Sequence, residues 1–215
     1  MNNLITLTDS SESIIYLRSK DKRLARVIDA IGSISYVPYS DGYSFLVNTI
    51  VGQMLSNKVA DKLSERLLQL TNNEITPEQI SKLSDEELKS IGISQNKVSY
   101  IRALTDAITC DKLSLSALSS LPDKDVIKSL TTIKGIGSWS AKMYLIFVLN
   151  RQDILPTEDV AFLQSYSWLY KTDDLSEKAI INKCKKWKPY SSIASRYLYK
   201  ALDNGLTKTP FHLYK

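Results

Sequence analysis

The stretch of this sequence best suited to chemistry is a turn, Leu130-Thr131-Thr132-Ile133-Lys134-Gly135-Ile136-Gly137-Ser138-Trp139-Ser140-Ala141. A helix ends before it, two glycines bracket an isoleucine, and a second helix opens with Ser138 as its expected cap. Glycines permit positive φ and let another backbone approach closely. N–H groups at the start of the second helix, with the helix dipole behind them, suit a phosphate oxygen. Lys134 adds a charge beside the turn. A plain helix–helix corner would carry the same residues, so phosphate binding and simple turning both remain open. Beyond it, Thr157-Glu158-Asp159 opens another apolar helix, placing a carboxylate 22 residues after Gly137. That distance accommodates one helix out and one turn back. A carboxylate at a helix start is either a cap and dipole partner or a functional anion.

The elements that must hold these residues are helical almost throughout. Asp21 to Ile31 reads as a helix stopped by Gly32. An apolar run from Tyr43 to Val51 precedes Gly52-Gln53-Met54-Leu55-Ser56. Ser56 is placed to cap a helix in which Val59, Leu63, Leu67 and Leu68 recur at helical spacing. Thr76-Pro77-Glu78-Gln79 carries a cap, a proline at the first helical position and a glutamine three residues after the cap. Ser84-Asp85-Glu86-Glu87 opens a short helix ended by Gly92. Ser94 begins a longer one with Val98, Ile101, Leu104 and Ile108 as its apolar stripe, and Pro122-Asp123 starts the next. Only Ser33 to Pro38 alternates, weakly, as a short extended connector would, and the first 40 residues otherwise look helical. The expected class is all-α.

Composition narrows the chemistry further. The chain has 215 residues, 43% hydrophobic and 24% charged, with a formal net charge of +5. That is ordinary for a soluble globular protein with a real core. The longest apolar stretch, around Met143 to Leu149, falls far short of the ~20 residues that span a bilayer. No basic leader or apolar signal core opens the chain, so a cytoplasmic product is expected. Cys110 and Cys184 are far apart, which excludes a zinc ribbon, a CxxC redox pair and a cysteine-ligated iron–sulfur cluster. The single histidine, His212, argues against histidine triads and histidine metal sites, and no GxxxxGK[ST] loop is present. Chemistry is left to carboxylates, lysines, hydroxyls and the backbone. Residues 175–215 hold nine Lys and Arg against two acids, a net +7 that leaves −2 for the rest. A basic end of this kind fits a phosphate-bearing partner or a solvated lysine-rich face.

The run GIGSWSAKMYLIFVLNRQDILPTEDVAFLQ resembles the helix–hairpin–helix DNA glycosylases, in which a hairpin is followed by a turn and a catalytic aspartate. Val51-Gly52-Gln53-Met54-Leu55-Ser56 agrees, as do Gly92-Ile93-Ser94 with Lys97 and Tyr100-Ile101. Trp187-Lys188-Pro189-Tyr190-Ser191-Ser192, followed by Ala194 and Tyr197-Leu198-Tyr199, agrees as well. In order and spacing, over roughly residues 15–205, these resemble the alkylation-repair branch, the DNA-3-methyladenine glycosylase II type. That type carries an additional N-terminal β domain, for which this chain is too short.

The resemblance implies that Asp159 is the catalytic carboxylate, with Glu158 a secondary candidate. Breaking an N-glycosidic bond leaves a sugar of oxocarbenium character, which a carboxylate stabilises while orienting or deprotonating water. Relatives that also cleave the strand carry a lysine two residues after the second hairpin glycine. Here that residue is Trp139, and Lys142, one helical turn away, is poorly placed to form the Schiff base instead. The implied activity is a monofunctional hydrolase acting on alkylated purines, first step of base excision repair. With no histidine to protonate a departing base, an already cationic base is the expected substrate. Stacking and cation–π attraction, about 0.5–2 kcal/mol per contact, would select it. Trp139, Met143, Tyr144, Tyr199 and Trp187 are the expected pocket residues, with core packing as the alternative for each. Tyr199 stands where the bacterial relative has a tryptophan.

The resemblance also implies double-stranded DNA with a flipped-out damaged base as partner. Lys134, Gly135, Ile136, Gly137, Ser138 and Ser140 would grip the backbone. Gln53 would contact the opposing strand, Met54 or Leu55 would wedge between bases, and Ser56 completes that loop. Backbone carbonyls of Thr132, Ile133 and Ile136 would hold a monovalent Na or K ion, with no cofactor otherwise required. Two helical subdomains are expected within one compact catalytic unit of residues 1–215. One comprises about 1–42 with 150–215; the other, about 43–149, carries the hairpin at 131–138. A DNA cleft is expected between them. A monomer is the default, cytoplasmic and nucleoid-associated if bacterial, with no membrane partner. The alternatives are a bifunctional oxidised-purine glycosylase/lyase and a non-catalytic module binding distorted DNA.

Overall fold

A computed structural model describes residues 4–212. The chain falls into two units, one built from residues up to 38 together with those from 150 onward, the other from residues 39–149.

In the first unit, strand β1 (Ile5–Leu7) pairs antiparallel with β2 (Ile34–Tyr36), Ile5 opposite Tyr36 and Leu7 opposite Ile34. This two-stranded sheet corrects the expectation of a helical start. Three residues per strand are too few for alternation to register in the sequence. Helices α1 (Glu12–Lys20) and α2 (Lys22–Ile31) lie between the strands in the chain. Asp21 caps α2 by accepting the Arg23 and Leu24 N–H groups, and Gly32 at φ 73° ends it.

The second unit holds α3 (Gly42–Gly52), α4 (Asn57–Leu70), α5 (Pro77–Lys82), α6 (Asp85–Ser90), α7 (Gln95–Thr109), α8 (Asp123–Thr131) and α9 (Ser138–Phe147). The local signals act as expected here. Thr76 caps α5 at the Gln79 N–H, and Ser84 with Glu87 closes a reciprocal capping box on α6. Val98, Ile101 and Leu104 of α7 are fully buried. The α4 stripe is only half realised: Leu63 and Leu67 are buried, whereas Val59 and Leu68 face solvent. Gly42 lies flush against Tyr144, where a Cβ would come within 2.6 Å of the phenol oxygen.

The chain returns to the first unit with α10 (Val160–Tyr170), α11 (Glu177–Cys184) and α12 (Ser191–Asp203). Leu17, Leu24, Ile28, Phe162, Leu169, Trp187 and Leu198 form the centre of its core. Within that core Asp21, 2% exposed, accepts hydrogen bonds on Oδ2 from Trp187 Nε1 at 2.9 Å and from the Tyr170 hydroxyl. The Lys186 ammonium lies 3.0 Å from the same oxygen. Cys110 is exposed and Cys184 buried, both as free thiols. No helix among the described residues is long and apolar enough to cross a membrane.

Candidate active site and nucleic-acid interface

The hairpin is built by two backbone hydrogen bonds, Ile133 N–H to Leu130 O at 3.1 Å and Ile136 N–H to Ile133 O at 3.0 Å. Gly135 sits at φ +90°, a left-handed conformation that favours glycine. The Tyr100 side chain packs so closely on it that a Cβ would lie 2.2 Å from Tyr100 Cγ. Gly137 differs: its φ is −97° and nothing stands within 4 Å of a Cβ built on it. The expected cap is corrected by one residue. Gly137 is the cap of α9 and Ser138 its first residue, so no side chain caps that end. Lys134, Gly137 and Ser138 are exposed, with the Lys134 ammonium 5.9 Å from the Tyr100 ring centroid. Ile136 is buried, so only its backbone borders the outer face of the turn. Ser140 is also buried, so its side chain packs inside the unit.

Beside the hairpin, within the same unit, the Gly52–Ser56 loop links α3 to α4. Gln53 donates through Nε2 to the Gly135 carbonyl at 2.8 Å. One of its two amide N–H groups is thereby engaged within the protein. The Lys97 ammonium donates to the Val51 carbonyl at 2.7 Å, and burial lowers its pKa. Just after these anchors Met54 adopts φ +59° and is fully exposed. A left-handed conformation costs a side-chain-bearing residue about 1–2 kcal/mol. Leu55 is partly exposed, and Ser56 holds the cap position of α4 without bonding it through its hydroxyl.

The carboxylate site belongs to the first unit. Asp159 is the cap of α10, 8% exposed, and its Oδ1 accepts the Phe162 N–H at 2.8 Å. The turn before it is tied to the start of α12. Ile154 N–H donates to Ser192 Oγ at 2.9 Å, Ser191 Oγ to Asp153 Oδ1 at 2.5 Å, and Ser192 N–H to Gln152 O at 2.9 Å. Further along α12, Tyr199 is half-buried. Its phenol pKa is driven well above the ordinary value by burial, then by the neighbouring Asp159 charge and a hydrogen bond to it. Arg196, one turn earlier, stacks its guanidinium over Tyr36 at 3.7 Å, and burial lowers its pKa. Glu158 is exposed and accepts a hydrogen bond from Thr157 Oγ1 at 3.1 Å.

The expected aromatic pocket separates into two groups. Trp139, in the first turn of α9, and Tyr199 remain partly accessible. Trp187 is 0% exposed, with its ring in the core and its N–H on Asp21, so neither face can stack on a base. Tyr144 is 2% exposed against Gly42, and Met143 is buried beside it in sequence. These three are core residues; an enclosed ring and a substrate-facing one have the same sequence. Sequence reasoning also missed roles for Tyr100, Lys97 and Arg196. Only the position of Lys97 in the first turn of α7 gave a signal, and it did not reveal the Val51 carbonyl as partner.

Residues 47–189 match the family model for the HhH-GPD superfamily base excision DNA repair protein. DNA-3-methyladenine glycosylase 1 of Schizosaccharomyces pombe is 27% identical over 203 residues, covering 90% of this chain and 88% of that protein. The crystal structure of DNA-3-methyladenine glycosidase from Bacillus halodurans superposes with a TM-score of 0.84 at 31% identity, covering 97% of each chain. The Schizosaccharomyces pombe 3-methyladenine DNA glycosylase in complex with abasic DNA gives 0.81 at 26% identity, covering 90% of this chain and 97% of that one.

Proposed function

Because the chain belongs to the HhH-GPD superfamily of base excision DNA repair proteins, we propose that it is a monofunctional DNA glycosylase. It hydrolyses the N-glycosidic bond of alkylated purines, of the 3-methyladenine and 7-methylguanine type, in double-stranded DNA. The observation that carries this reading is Asp159, a buried carboxylate whose direction is fixed by the Phe162 N–H. Near-full-length likeness to the 3-methyladenine enzymes supports the substrate class.

The chemistry follows from the residues. A base in a duplex is unreachable, so it is rotated out of the stack at a cost of a few kcal/mol. Met54 fills the gap, and the exposed start of α9 with Lys134 holds backbone phosphate. The glycosidic electron pair leaves with the base and neutralises the positive charge that alkylation placed on it. The sugar carbon gains oxocarbenium character, which the negative Asp159 stabilises. Water adds to that carbon and gives its proton to the carboxylate or to solvent. Trp139 supplies no amine, so no Schiff base forms and the abasic strand stays intact. Trp139 and Tyr199 are the rings proposed to stack on the base.

A monovalent cation on the carbonyls of Thr132, Ile133 and Ile136 fits this turn. The Ile133 carbonyl already accepts one hydrogen bond and keeps a second lone pair. The ion would add positive charge beside a phosphate. The protein would act as a monomer with the DNA, in the cytoplasm, and nucleoid-associated if bacterial.

The test is release of free base from methylated duplex DNA by the wild type and by Asp159→Asn, followed by alkali. The wild type should release 3-methyladenine or 7-methylguanine, with strand breaks only after alkali. Asp159→Asn should bind DNA and lose at least about 10²-fold in rate, the scale of removing one preorganised electrostatic group. Breaks without alkali would place a lyase amine in the site. DNA binding with no release by the wild type would leave a non-catalytic module.

A further inference from the structure

Met54 presents a puzzle in the free protein. It is fully exposed, so it gains no burial, and it holds a left-handed φ of +59° that the side chain itself disfavours. Locally, the Leu55 N–H donates to the Gly52 carbonyl at 3.1 Å and closes a turn with Gln53 and Met54 at its centre. Two hydrogen bonds anchor the chain just before Met54, at Val51 and Gln53, each to a separate element of the same unit. Before it, the Lys97 ammonium of α7 holds the Val51 carbonyl at 2.7 Å. Next to it, the Gln53 amide holds the Gly135 carbonyl of the hairpin at 2.8 Å. Gly135 is itself immobilised, because Tyr100 packs directly on its Cα and leaves no room for a side chain. Tyr100 stands one turn after Lys97 on α7, so one helix braces both the loop and the hairpin.

We propose that Gln53 and Lys97 are positioning residues that hold the Met54 loop in its inserting shape before DNA arrives. Gln53 links that loop to the phosphate-gripping turn. This rests on the glycosylase reading above. The hairpin and the wedge then act as one rigid body: when the turn seats on a phosphate, Met54 is already at the height of the bases. The ordering is done during folding and not charged against base flipping. Neither residue touches the reacting atoms.

The experiment is a double-mutant cycle with Gln53→Leu and Met54→Ala, read in two ways. One readout is the fluorescence of 2-aminopurine beside an abasic-site analogue in a duplex, which reports unstacking and needs no catalysis. The other is the single-turnover rate of base release from methylated duplex. Gln53→Leu should weaken both by about fivefold to tenfold, the scale of one hydrogen bond. In the Met54→Ala background it should add nothing, because its effect passes through Met54. Lys97→Met should behave the same way. Gln53→Glu, which keeps the shape and loses the donor, stands in if Gln53→Leu does not fold. Full additivity with Met54→Ala, or a wild-type fluorescence response in Gln53→Leu and Gln53→Glu, would overturn the proposal. A wild type that unstacks DNA yet releases no base would sink the glycosylase reading while the fluorescence cycle still decides this one. A wild type that does neither overturns both.

Discussion

The two hairpin glycines look interchangeable in sequence but do different work. Gly135 is required by the fold: its φ of +90° and the Tyr100 ring 2.2 Å from a Cβ leave no room for alanine. The obstructing atoms are at the root of that side chain, so the ring cannot swing away without moving α7. Gly135→Ala should therefore lower the melting temperature, by about 2 kcal/mol or more in stability, as strain and overpacking combine. Nothing inside the protein requires glycine at 137, where φ is ordinary and a Cβ meets no atom. Gly137→Ala should melt at or slightly above the wild type, through a gain of about 0.4–1 kcal/mol from the less flexible unfolded chain. It should nonetheless weaken duplex binding, because the new methyl stands where a phosphate must approach the uncapped helix end. Thermal denaturation and fluorescence anisotropy on both variants check this pair. Normal DNA affinity in Gly137→Ala would mean that the second glycine does not face phosphate.

The start of α2, the end of α10 and the turn after α11 meet at the buried Asp21 carboxylate, and that element has a pH signature. Burial alone would raise the Asp21 pKa; hydrogen bonds from Tyr170, Trp187 and Lys186, with the Lys186 charge, outweigh it and hold it below the ordinary value of 3.8. A carboxyl depressed in the folded state contributes stability that is complete above its unfolded pKa, near pH 4. That stability is lost as pH falls through the lower folded value. Denaturant midpoints should therefore fall below about pH 4 in the wild type, and Asp21→Asn should remove that part of the acid dependence. At neutral pH the substitution should cost about 2–3 kcal/mol, since hydrogen bonds to a charged acceptor are removed. An unchanged acid limb in Asp21→Asn would show that other groups govern it. The same element marks the limit of sequence reading. Caps at Thr76 and Ser84 and the α7 stripe are local, and they were legible. The core position of Trp187 is not legible, because its indole N–H finds its acceptor, Asp21, 166 residues earlier in the chain, beyond any periodic pattern.

At the scale of the molecule, charge is the property that the sequence displayed most openly and the fold has since sorted. Of the nine basic residues after position 174, Arg196 is buried over Tyr36 and Lys186 is bound to Asp21. Lys178, Lys183 and Lys185 remain exposed on α11 and the turn that follows it. Asp159 is legible as a carboxylate that opens a helix, and it caps α10, whereas the struts at Gln53 and Lys97 are not, since each bond is to a backbone carbonyl that any residue could provide. Exposed lysines at this density act at long range: they raise the rate of encounter with a polyanion and contribute to non-specific affinity through counterion release. Replacing Lys178, Lys183 and Lys185 by glutamine should slow association with undamaged duplex at low salt. It should also flatten the dependence of log affinity on log salt, by about 0.9 for each phosphate no longer neutralised. Single-turnover base release at saturating enzyme should not change, because these lysines lie apart in sequence from Asp159, Trp139 and Tyr199 and belong to no step of the reaction. Stopped-flow association across a salt series separates the two roles that a basic surface can play. A triple variant with wild-type association and slope would make this face solvated, leaving Lys134 and the open end of α9 to account for the whole electrostatic grip.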